Sequence, residues 1–216
     1  MKNIYFFSGL GADERVFQNL DFTSFHPVFI KWIEVKGNES IESYALRLTA
    51  QIKDENPVLV GVSFGGMIAV EVSKLISTEK VILISSAKTK HELPRLYKLA
   101  GNLRLQKLIP FKQIKRIAPV NNYFFGVKSK AEKKLLNKVI SDTDPVFIKW
   151  AINKIVTWKN KFIPENITHI HGDKDHVLSI KFVKPDYVIE NGGHFLISQQ
   201  SEQINRILKE ILSSGF

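Results

Sequence analysis

The chain has 216 residues, of which 44% are hydrophobic and 24% are charged, a balance that indicates a globular protein with a sizeable core. It contains no cysteine, which excludes disulfides, a cysteine nucleophile and a cysteine-ligated metal site. No apolar run approaches the ~18 residues of a membrane span, and the run at residues 4–7 is too short for a signal peptide, so we expect a cytoplasmic protein. The formal charge of +10 is concentrated in residues 88–161, where 18 Lys and Arg stand against 4 Asp and Glu.

Six short apolar runs alternate with helical patterns along the chain. Several runs are almost continuous in β-branched and aromatic residues, as buried parallel strands are. Helices are predicted over 40–56, with Ser40 as the candidate N-cap, over 64–77 and over 201–214. This alternation predicts an α/β sheet covered by helices on both faces. The predicted strands are residues 3–7, 28–33, 57–62, 81–85, 167–171 and 186–190.

Residues 88–161 interrupt the alternation, because they contain helical patterns and no convincing strand. Ser129 and Glu132 have the spacing of a capping box, and Asp144 followed by Pro145 is typical of a helix start. We therefore predict an all-helical insertion after the fourth strand. The predicted helices of the insertion cover 92–109, 129–141 and 144–159, and the predicted core is formed by residues 1–87 and 162–216.

Ser63 lies between a predicted strand and a predicted helix, with Gly61 two residues before it and Gly65 two residues after it. The pattern G-x-S-x-G in this context is typical of a nucleophile elbow, a turn so tight that side chains at the glycine positions would crowd the neighbouring backbone. The turn lifts the serine Oγ above the edge of the sheet and directs the N-terminus of the next helix at it. The alternative is a glycine-rich turn that only packs tightly or binds a phosphate.

A serine hydroxyl is a weak nucleophile, so it needs a histidine base and an acid that orients the base. Among six histidines, His194 follows the last predicted strand and a pair of glycines, and it is the candidate base. Asp173 and Asp175 follow the fifth predicted strand and are the candidate acids. Asp173 is suited to bracing the turn, so Asp175 is predicted to be the acid.

Three motifs in this order resemble the α/β-hydrolase family over most of the chain: GVSFG at 61–65, HGDKD at 171–175 and GGH at 192–194. The resemblance implies about six mostly parallel strands, with the first and third side by side, and a helical cap at 88–161. The chain departs from the family in two respects. We expect the antiparallel strand pair with which the family often begins to be missing before residues 3–7, and Ser8 stands where the family often has a histidine.

The resemblance also implies the roles of the site residues. Asp175 matches the acid position of the family, which gives the chain order serine, aspartate, histidine. Ser63, His194 and Asp175 would then form a catalytic triad. The backbone N–H groups of Phe64 and Leu10 would form the oxyanion hole, in which each donor stabilises the transition state by about 3 kcal/mol.

The insertion contains an aromatic run, Tyr123, Phe124 and Phe125, in an irregular stretch that ends in glycine. These three residues are candidates for the wall of a substrate pocket, whereas the other aromatic residues of the insertion are predicted to be mainly core. The basic charge would steer an anionic substrate, favour an acidic membrane surface, or form a solvated face with no partner. Nucleic-acid binding is disfavoured, because no nucleic-acid motif is present.

Together these residues predict a serine hydrolase that cleaves a carboxylic ester or thioester of a small-molecule acyl substrate, with no metal and no organic cofactor. The same triad would also serve a C–C bond hydrolase, a lyase or a perhydrolase, because one fold hosts many chemistries. Outside enzymes, the alternative is a ligand-sensing protein that keeps the triad but turns over slowly.

Overall fold

A sheet of six parallel strands forms the centre of the computed structural model, which describes residues 1–103 and 125–213. The strands are β1 Asn3–Phe7, β2 His26–Phe29, β3 Val58–Val62, β4 Lys80–Ile84, β5 Ile167–Gly172 and β6 Tyr187–Ile189. Their order in the sheet is β2-β1-β3-β4-β5-β6, and every neighbouring pair is parallel. The expected α/β sheet is confirmed, and so is the adjacency of the first and third strands.

The second strand lies earlier than the sequence predicts. The predicted range is 28–33, whereas β2 covers His26–Phe29 and pairs with β1 only over those residues. Beyond this point backbone groups are bound by side chains, beginning with Lys31, whose N–H and carbonyl both bind the Gln51 side chain (2.9 Å each). The Tyr44 hydroxyl accepts from the Ile33 N–H (3.0 Å) and donates to the Ile33 carbonyl (2.9 Å). Side-chain contacts therefore replace strand pairing in the residues that follow β2.

Helices cover both faces of the sheet, and none in the described ranges combines the length and hydrophobicity that a membrane crossing requires. The first helix begins after Ser40, whose side chain accepts a hydrogen bond from the Ser43 N–H, as the N-cap prediction requires. The helices are α1 Ile41–Leu48, α2 Phe64–Ser73, α3 Arg95–Asn102, α4 Lys130–Asp142, α5 Pro145–Thr157, α6 Leu196–Gln199 and α7 Ser201–Ser213. Short 3-10 helices cover Glu14–Phe17, Thr49–Gln51, Lys90–Glu92 and Ile180–Phe182.

Side chains on each strand alternate between the two faces of the sheet, and both sets are buried. On β1, Tyr5 and Phe7 lie on the face where α1, α2 and α5 pack. Ile4 and Phe6 lie on the opposite face, where α6 and α7 pack. Because both faces are covered, the carboxyl edge of the sheet is the place where polar groups from several strands can meet.

Between β4 and β5 the described residues form α3, α4 and α5 and no strand. Both predicted helix starts are present. Ser129 and Glu132 form a capping box at α4, and Asp144 caps α5 with Pro145 in its first turn. The division of the chain into a core and a cap at 88–161 stays a prediction.

Two tryptophans attach α5 and the residue after it to α2 and to the loop before α1. Trp150 Nε1 donates to the Glu39 carbonyl (3.0 Å), and Trp158 Nε1 donates to the buried carboxylate of Glu71 (2.7 Å). Phe147 is buried in the same cluster. These three aromatic side chains therefore belong to the core, as predicted, and they hold α5 close to the elbow helix α2.

Candidate active site

Ser63 is the junction between β3 and α2, and its backbone is in the left-handed region with φ 53°. This conformation is uncommon for a residue with a side chain, and it persists only where the surrounding structure holds it. Here the Ser63 N–H donates to the Ile84 carbonyl (2.9 Å), and the Ser63 carbonyl accepts from the Ser86 hydroxyl (2.6 Å). The neighbouring strand β4 therefore fixes the turn on both sides of the serine.

The glycines around Ser63 are required by close backbone approaches. A Cβ on Gly61 would lie 2.6 Å from the Gly65 carbonyl oxygen, and a Cβ on Gly65 would lie 2.7 Å from the Phe7 carbonyl carbon. Gly66 is a third case, because its Cβ would lie 2.6 Å from the Ser86 Cβ. All of these distances are shorter than Cβ atoms tolerate, so the turn depends on glycine at each position.

The structure brings Ser63, His194 and Asp175 into one hydrogen-bonded chain at the carboxyl edge of the sheet. His194 Nε2 lies 2.9 Å from Ser63 Oγ, and His194 Nδ1 lies 2.7 Å from Asp175 Oδ2. The His194 and Asp175 side chains are almost completely buried. In this geometry one imidazole nitrogen faces a hydroxyl and the other faces a carboxylate, which is the arrangement of a nucleophile, a base and an orienting acid.

The Asp175 carboxylate is held by its own turn. Its Oδ1 accepts the N–H groups of Val177 and Leu178, both at 2.8 Å, and these bonds leave Oδ2 directed at His194. Burial by itself would raise the pKa of Asp175. The interaction with His194 and the hydrogen bond from the Leu178 N–H lower it by more, so the pKa of Asp175 lies below its ordinary value. The carboxylate is therefore ionised at neutral pH and can stabilise a positively charged imidazole.

Asp173, the other candidate acid, makes no hydrogen bond to His194 within the described residues, and its Oδ1 is buried without a hydrogen-bond partner. Its backbone N–H donates to the Ile189 carbonyl (3.2 Å), which joins the turn after β5 to the end of β6. Of the two aspartates, only Asp175 reaches the histidine.

The loop after β1 lies beside the elbow, as the adjacency of β1 and β3 requires. A Cβ on Gly9 would lie 3.5 Å from the Ser63 Cβ, so this loop passes directly over the serine. The Ser8 hydroxyl donates to the Ala12 carbonyl (2.8 Å), and the same carbonyl accepts from Trp32 Nε1 (3.1 Å). The loop is therefore braced by Ser8 itself, at the position where the resembling family often has histidine.

Leu10 and Phe64, the predicted oxyanion donors, both line the cavity at Ser63. Phe64 is the first residue of α2, so its N–H has no acceptor within that helix. In the described part of the chain, neither N–H donates to another protein group. The role of these two N–H groups as oxyanion donors stays a prediction.

A cavity of about 440 Å³ opens at Ser63 and His194, with a wall that is almost entirely apolar. No Lys, Arg, Asp or Glu is found among its described lining residues. The Phe125 ring lines it and meets the His194 ring edge to face, with 5.3 Å between centroids. Tyr123 and Phe124, the other two predicted wall residues, lie outside the described residues. The sequence reasoning missed most of the wall, which includes Met67 on α2, Leu93, Tyr97 and Ala100 in and before α3, and Ile152, Ile155 and Val156 on α5.

Two further residues that sequence reasoning did not assign lie behind the acid. His169 and His171 on β5 are completely buried, and His171 Nε2 is 3.4 Å from Asp175 Oδ2. Their alternation along a strand was the available signal, because residues two apart on a strand share a face. No group of three or more potential metal ligands is present in residues 1–103 and 125–213.

Comparison with known proteins supports the architecture. No protein-family model matches the chain, and no curated protein matches it in sequence. The solved structure of a hydrolase from Pseudomonas aeruginosa PA01 is similar over 98% of this chain and 89% of its own, with a TM-score of 0.77 and 10% identity. An enol-lactonase from Burkholderia xenovorans LB400 is similar over 98% of this chain and 91% of its own, with a TM-score of 0.74 and 14% identity.

A thermophilic esterase from Thermogutta terrifontis, solved with malate bound, is similar over 99% of this chain and 90% of its own, with a TM-score of 0.69 and 13% identity. The strand order, the elbow position and these likenesses together define the class of protein. The chain has the α/β-hydrolase fold.

Proposed function

We propose that this protein is a serine hydrolase that cleaves a carboxylic ester through an acyl-enzyme. The observation that carries the proposal is the hydrogen-bonded chain from Ser63 through His194 to Asp175, at the floor of an apolar cavity. The names of the structurally similar enol-lactonase and esterase refer to ester-type bonds, which supports the same class of bond as the substrate of this protein.

In the proposed reaction, Ser63 Oγ attacks the acyl carbon as its proton moves to His194 Nε2, 2.9 Å away. Asp175 stabilises the resulting imidazolium and keeps Nδ1 protonated. The imidazolium then gives the proton to the leaving alkoxide as the C–O bond breaks. A water molecule attacks the acyl-enzyme in the same way, and the proton that it gives to His194 returns to Ser63 Oγ when the acid leaves.

The negative oxygen of the tetrahedral intermediate would be held by the N–H groups of Leu10 and Phe64. These groups come from different elements, the loop after β1 and the start of α2, so the pairing of β1 with β3 sets their spacing. Phe64 also lies at the positive end of α2, where negative charge is stabilised.

The cavity wall favours a substrate whose acyl part is apolar. Its volume of about 440 Å³ lies within the range of small-molecule sites, and its described lining has no cationic side chain that would pair with an anionic acyl group. We therefore propose an uncharged, apolar acyl chain, with α3 and α5 determining its length. The described Lys and Arg residues of 88–161 are not part of this wall, so their charge would act on an anionic leaving group.

A fluorophosphonate probe tests the proposal without knowledge of the substrate, because it reacts with activated serines. We expect labelling at Ser63 alone by peptide mapping, no labelling of Ser63→Ala, and hydrolysis of p-nitrophenyl esters with medium-length apolar acyl chains in preference to succinyl-type anionic ones. A folded wild-type protein that does not label would contradict the proposal and would favour a slow ligand-sensing protein.

The reaction products distinguish ester hydrolysis from the related chemistries of this fold. A C–C bond hydrolase, a lyase and a perhydrolase would each use the same three side chains, so labelling does not separate them from an esterase. Mass spectrometry of products from an ester panel does: an acid and an alcohol in equal amounts support ester hydrolysis. Peracid formation with hydrogen peroxide that exceeds hydrolysis would support the perhydrolase instead.

A further inference from the structure

Two histidines lie buried directly behind the candidate acid, and no step of the proposed reaction uses either of them. His169 and His171 are two residues apart on β5, so their side chains share one face of the sheet. Both are completely buried, and His169 Nε2 lies 3.1 Å from His171 Nδ1. A buried polar side chain is unfavourable unless its partners are present, so the partners of each ring nitrogen define what the pair does.

The partners fix one arrangement of protons. His171 Nε2 lies 2.7 Å from the Leu178 carbonyl oxygen, which can only accept, so Nε2 carries the proton. Burial lowers the pKa of His171, which keeps the ring neutral and leaves Nδ1 without a proton. Nδ1 must then accept from His169 Nε2, which sets the tautomer of His169 as well.

This chain of contacts ends at the acid. The Leu178 N–H donates to Asp175 Oδ1, while the Leu178 carbonyl accepts from His171. The protonated Nε2 of His171 also lies 3.4 Å from Asp175 Oδ2, the oxygen that faces His194. His171 thus holds the carbonyl of the residue whose N–H holds the Asp175 carboxylate, and its Nε2 lies close to the oxygen that faces His194.

We propose that His171 is a positioning residue for Asp175, which it orients through the Leu178 carbonyl, and that His169 keeps His171 in the tautomer that this task requires. The inference rests on the proposed function, because it concerns the acid of the same triad. Without the His171 N–H, the Leu178 carbonyl is buried and unpaired, the turn loosens, and Asp175 no longer holds the His194 ring in its productive orientation.

The titratable groups around this network are few. Asp175 is faced by His194 and His171, and by Tyr97 of α3, whose hydroxyl donates to the Val177 carbonyl (2.8 Å) and whose pKa is raised by burial and by the charge of Asp175. Burial and His171 lower the pKa of His169, and the charge of Lys88 lowers it further. The Asp186 carboxylate accepts from the His169 backbone N–H (2.8 Å) and pairs with Lys88 (3.4 Å).

Since His171 is neutral, replacing it changes no charge. The loss of labelling rate should therefore come from the orientation of Asp175 and should have a similar size across the pH range.

The test is the second-order rate constant for fluorophosphonate labelling of Ser63, measured against pH. His171→Gln and His171→Asn form a matched pair, because glutamine places an N–H near the position of Nε2 whereas asparagine is too short to reach Leu178. We expect His171→Gln to label within about threefold of wild type and His171→Asn to label about tenfold to a hundredfold more slowly, as loss of a partner to a buried group predicts. His26→Asn, at an exposed histidine, should match wild type.

A double-mutant cycle separates positioning from a general loss of structure. If His171 acts through Asp175, adding His171→Asn to the Asp175→Asn variant should slow labelling little further. Labelling of these slow variants is followed by intact mass over hours. An equal proportional loss in both backgrounds overturns the inference, and so do equal rates for the two His171 variants.

The remaining outcomes are also decisive. A folded wild type that does not label overturns the proposed function and the inference together, whereas a labelled wild type with a fast His171→Asn variant overturns the inference alone. If His171→Asn does not fold, the labelling rates of His169→Gln and His169→Asn are compared instead. Of these two replacements, only glutamine is long enough to donate to His171 Nδ1. The same ranking supports the inference, and equal rates contradict it.

Discussion

Replacing Asp175 by asparagine tests the assignment of the acid most directly, because the structure determines how the new amide must lie. Asp175 Oδ1 accepts two backbone N–H groups, from Val177 and Leu178, each at 2.8 Å. The amide oxygen of asparagine can keep both bonds, which directs the NH₂ group at His194. Two donors would then face each other unless His194 shifts its proton from Nδ1 to Nε2, and a protonated Nε2 cannot accept the proton of Ser63.

The opposite amide orientation does not rescue the variant. It would place the NH₂ group against the N–H groups of Val177 and Leu178, and each unpaired buried group costs about 1–3 kcal/mol, so this orientation is a minor population. We therefore expect acylation of Ser63 in Asp175→Asn to slow by about 10⁴-fold, the size of effect that a wrong histidine tautomer has in other serine triads.

The assay is the fluorophosphonate labelling rate, followed by intact mass, with ester hydrolysis measured alongside. Asp173→Asn is the matched control, two residues away in the same turn and without a hydrogen bond to His194 in the described structure. It should label within about threefold of wild type, because the triad contacts are untouched. A loss smaller than tenfold in Asp175→Asn, or a larger loss in Asp173→Asn, would refute the reasoning.

Three other predictions concern the elbow, the oxyanion loop and the buried histidines. Gly65→Ala forces a Cβ to 2.7 Å from the Phe7 carbonyl carbon and should lower the free energy of unfolding, measured in urea, by about 3 kcal/mol. The control Gly9→Ala, whose new Cβ has its nearest neighbour at 3.5 Å, should change the free energy of unfolding by less than about 1 kcal/mol. Similar values for the two variants would count against the clash. Leu10→Pro removes one oxyanion donor and should lower kcat at least about tenfold in a folded protein, and an unchanged kcat would remove Leu10 from the role. Burial, with the charges of its neighbours, lowers the pKa of His169 to about 2, so below pH ~6.5 the unfolded chain binds a proton that the folded protein does not, and the free energy of unfolding decreases as the pH decreases. Between pH 7 and pH 5 this one group should lower the free energy of unfolding by about 2 kcal/mol, and His169→Gln should show a correspondingly flatter pH profile by urea unfolding. An equally steep profile would mean that His169 takes up its proton in the folded state.

Much of the sheet could be predicted from the sequence because buried parallel strands need continuous apolar runs, and their length is short enough to read locally. β1, β3 and β4 lie within a residue of the predicted ranges. The position of β2 could not be read in this way, because beyond its end the side chains of Gln51 and Tyr44 take the backbone groups of Lys31 and Ile33. An edge strand has one partner only, so side chains from elsewhere decide where it stops.

The residues of the cavity wall could be predicted from the sequence even less well than the end of β2. Tyr97 and Ala100 on α3, and Ile155 on α5, are ordinary apolar residues of helices, and their pattern is equally compatible with a core position. Only the relative placement of the two helices makes them line a space above Ser63. The apolar character of that wall could therefore not be predicted, although it bears directly on the proposed substrate.

The sequence by itself determined that a tight turn lies at Ser63, since such a turn needs glycine at 61 and 65, whereas the left-handed backbone of Ser63 is held by Ile84 and Ser86. It also determined the order of the candidate triad along the chain. What only the tertiary structure decided is distance: Ser63 and His194 are separated by 131 residues, yet their side chains meet at 2.9 Å because β3 and the chain after β6 reach the same edge of one sheet.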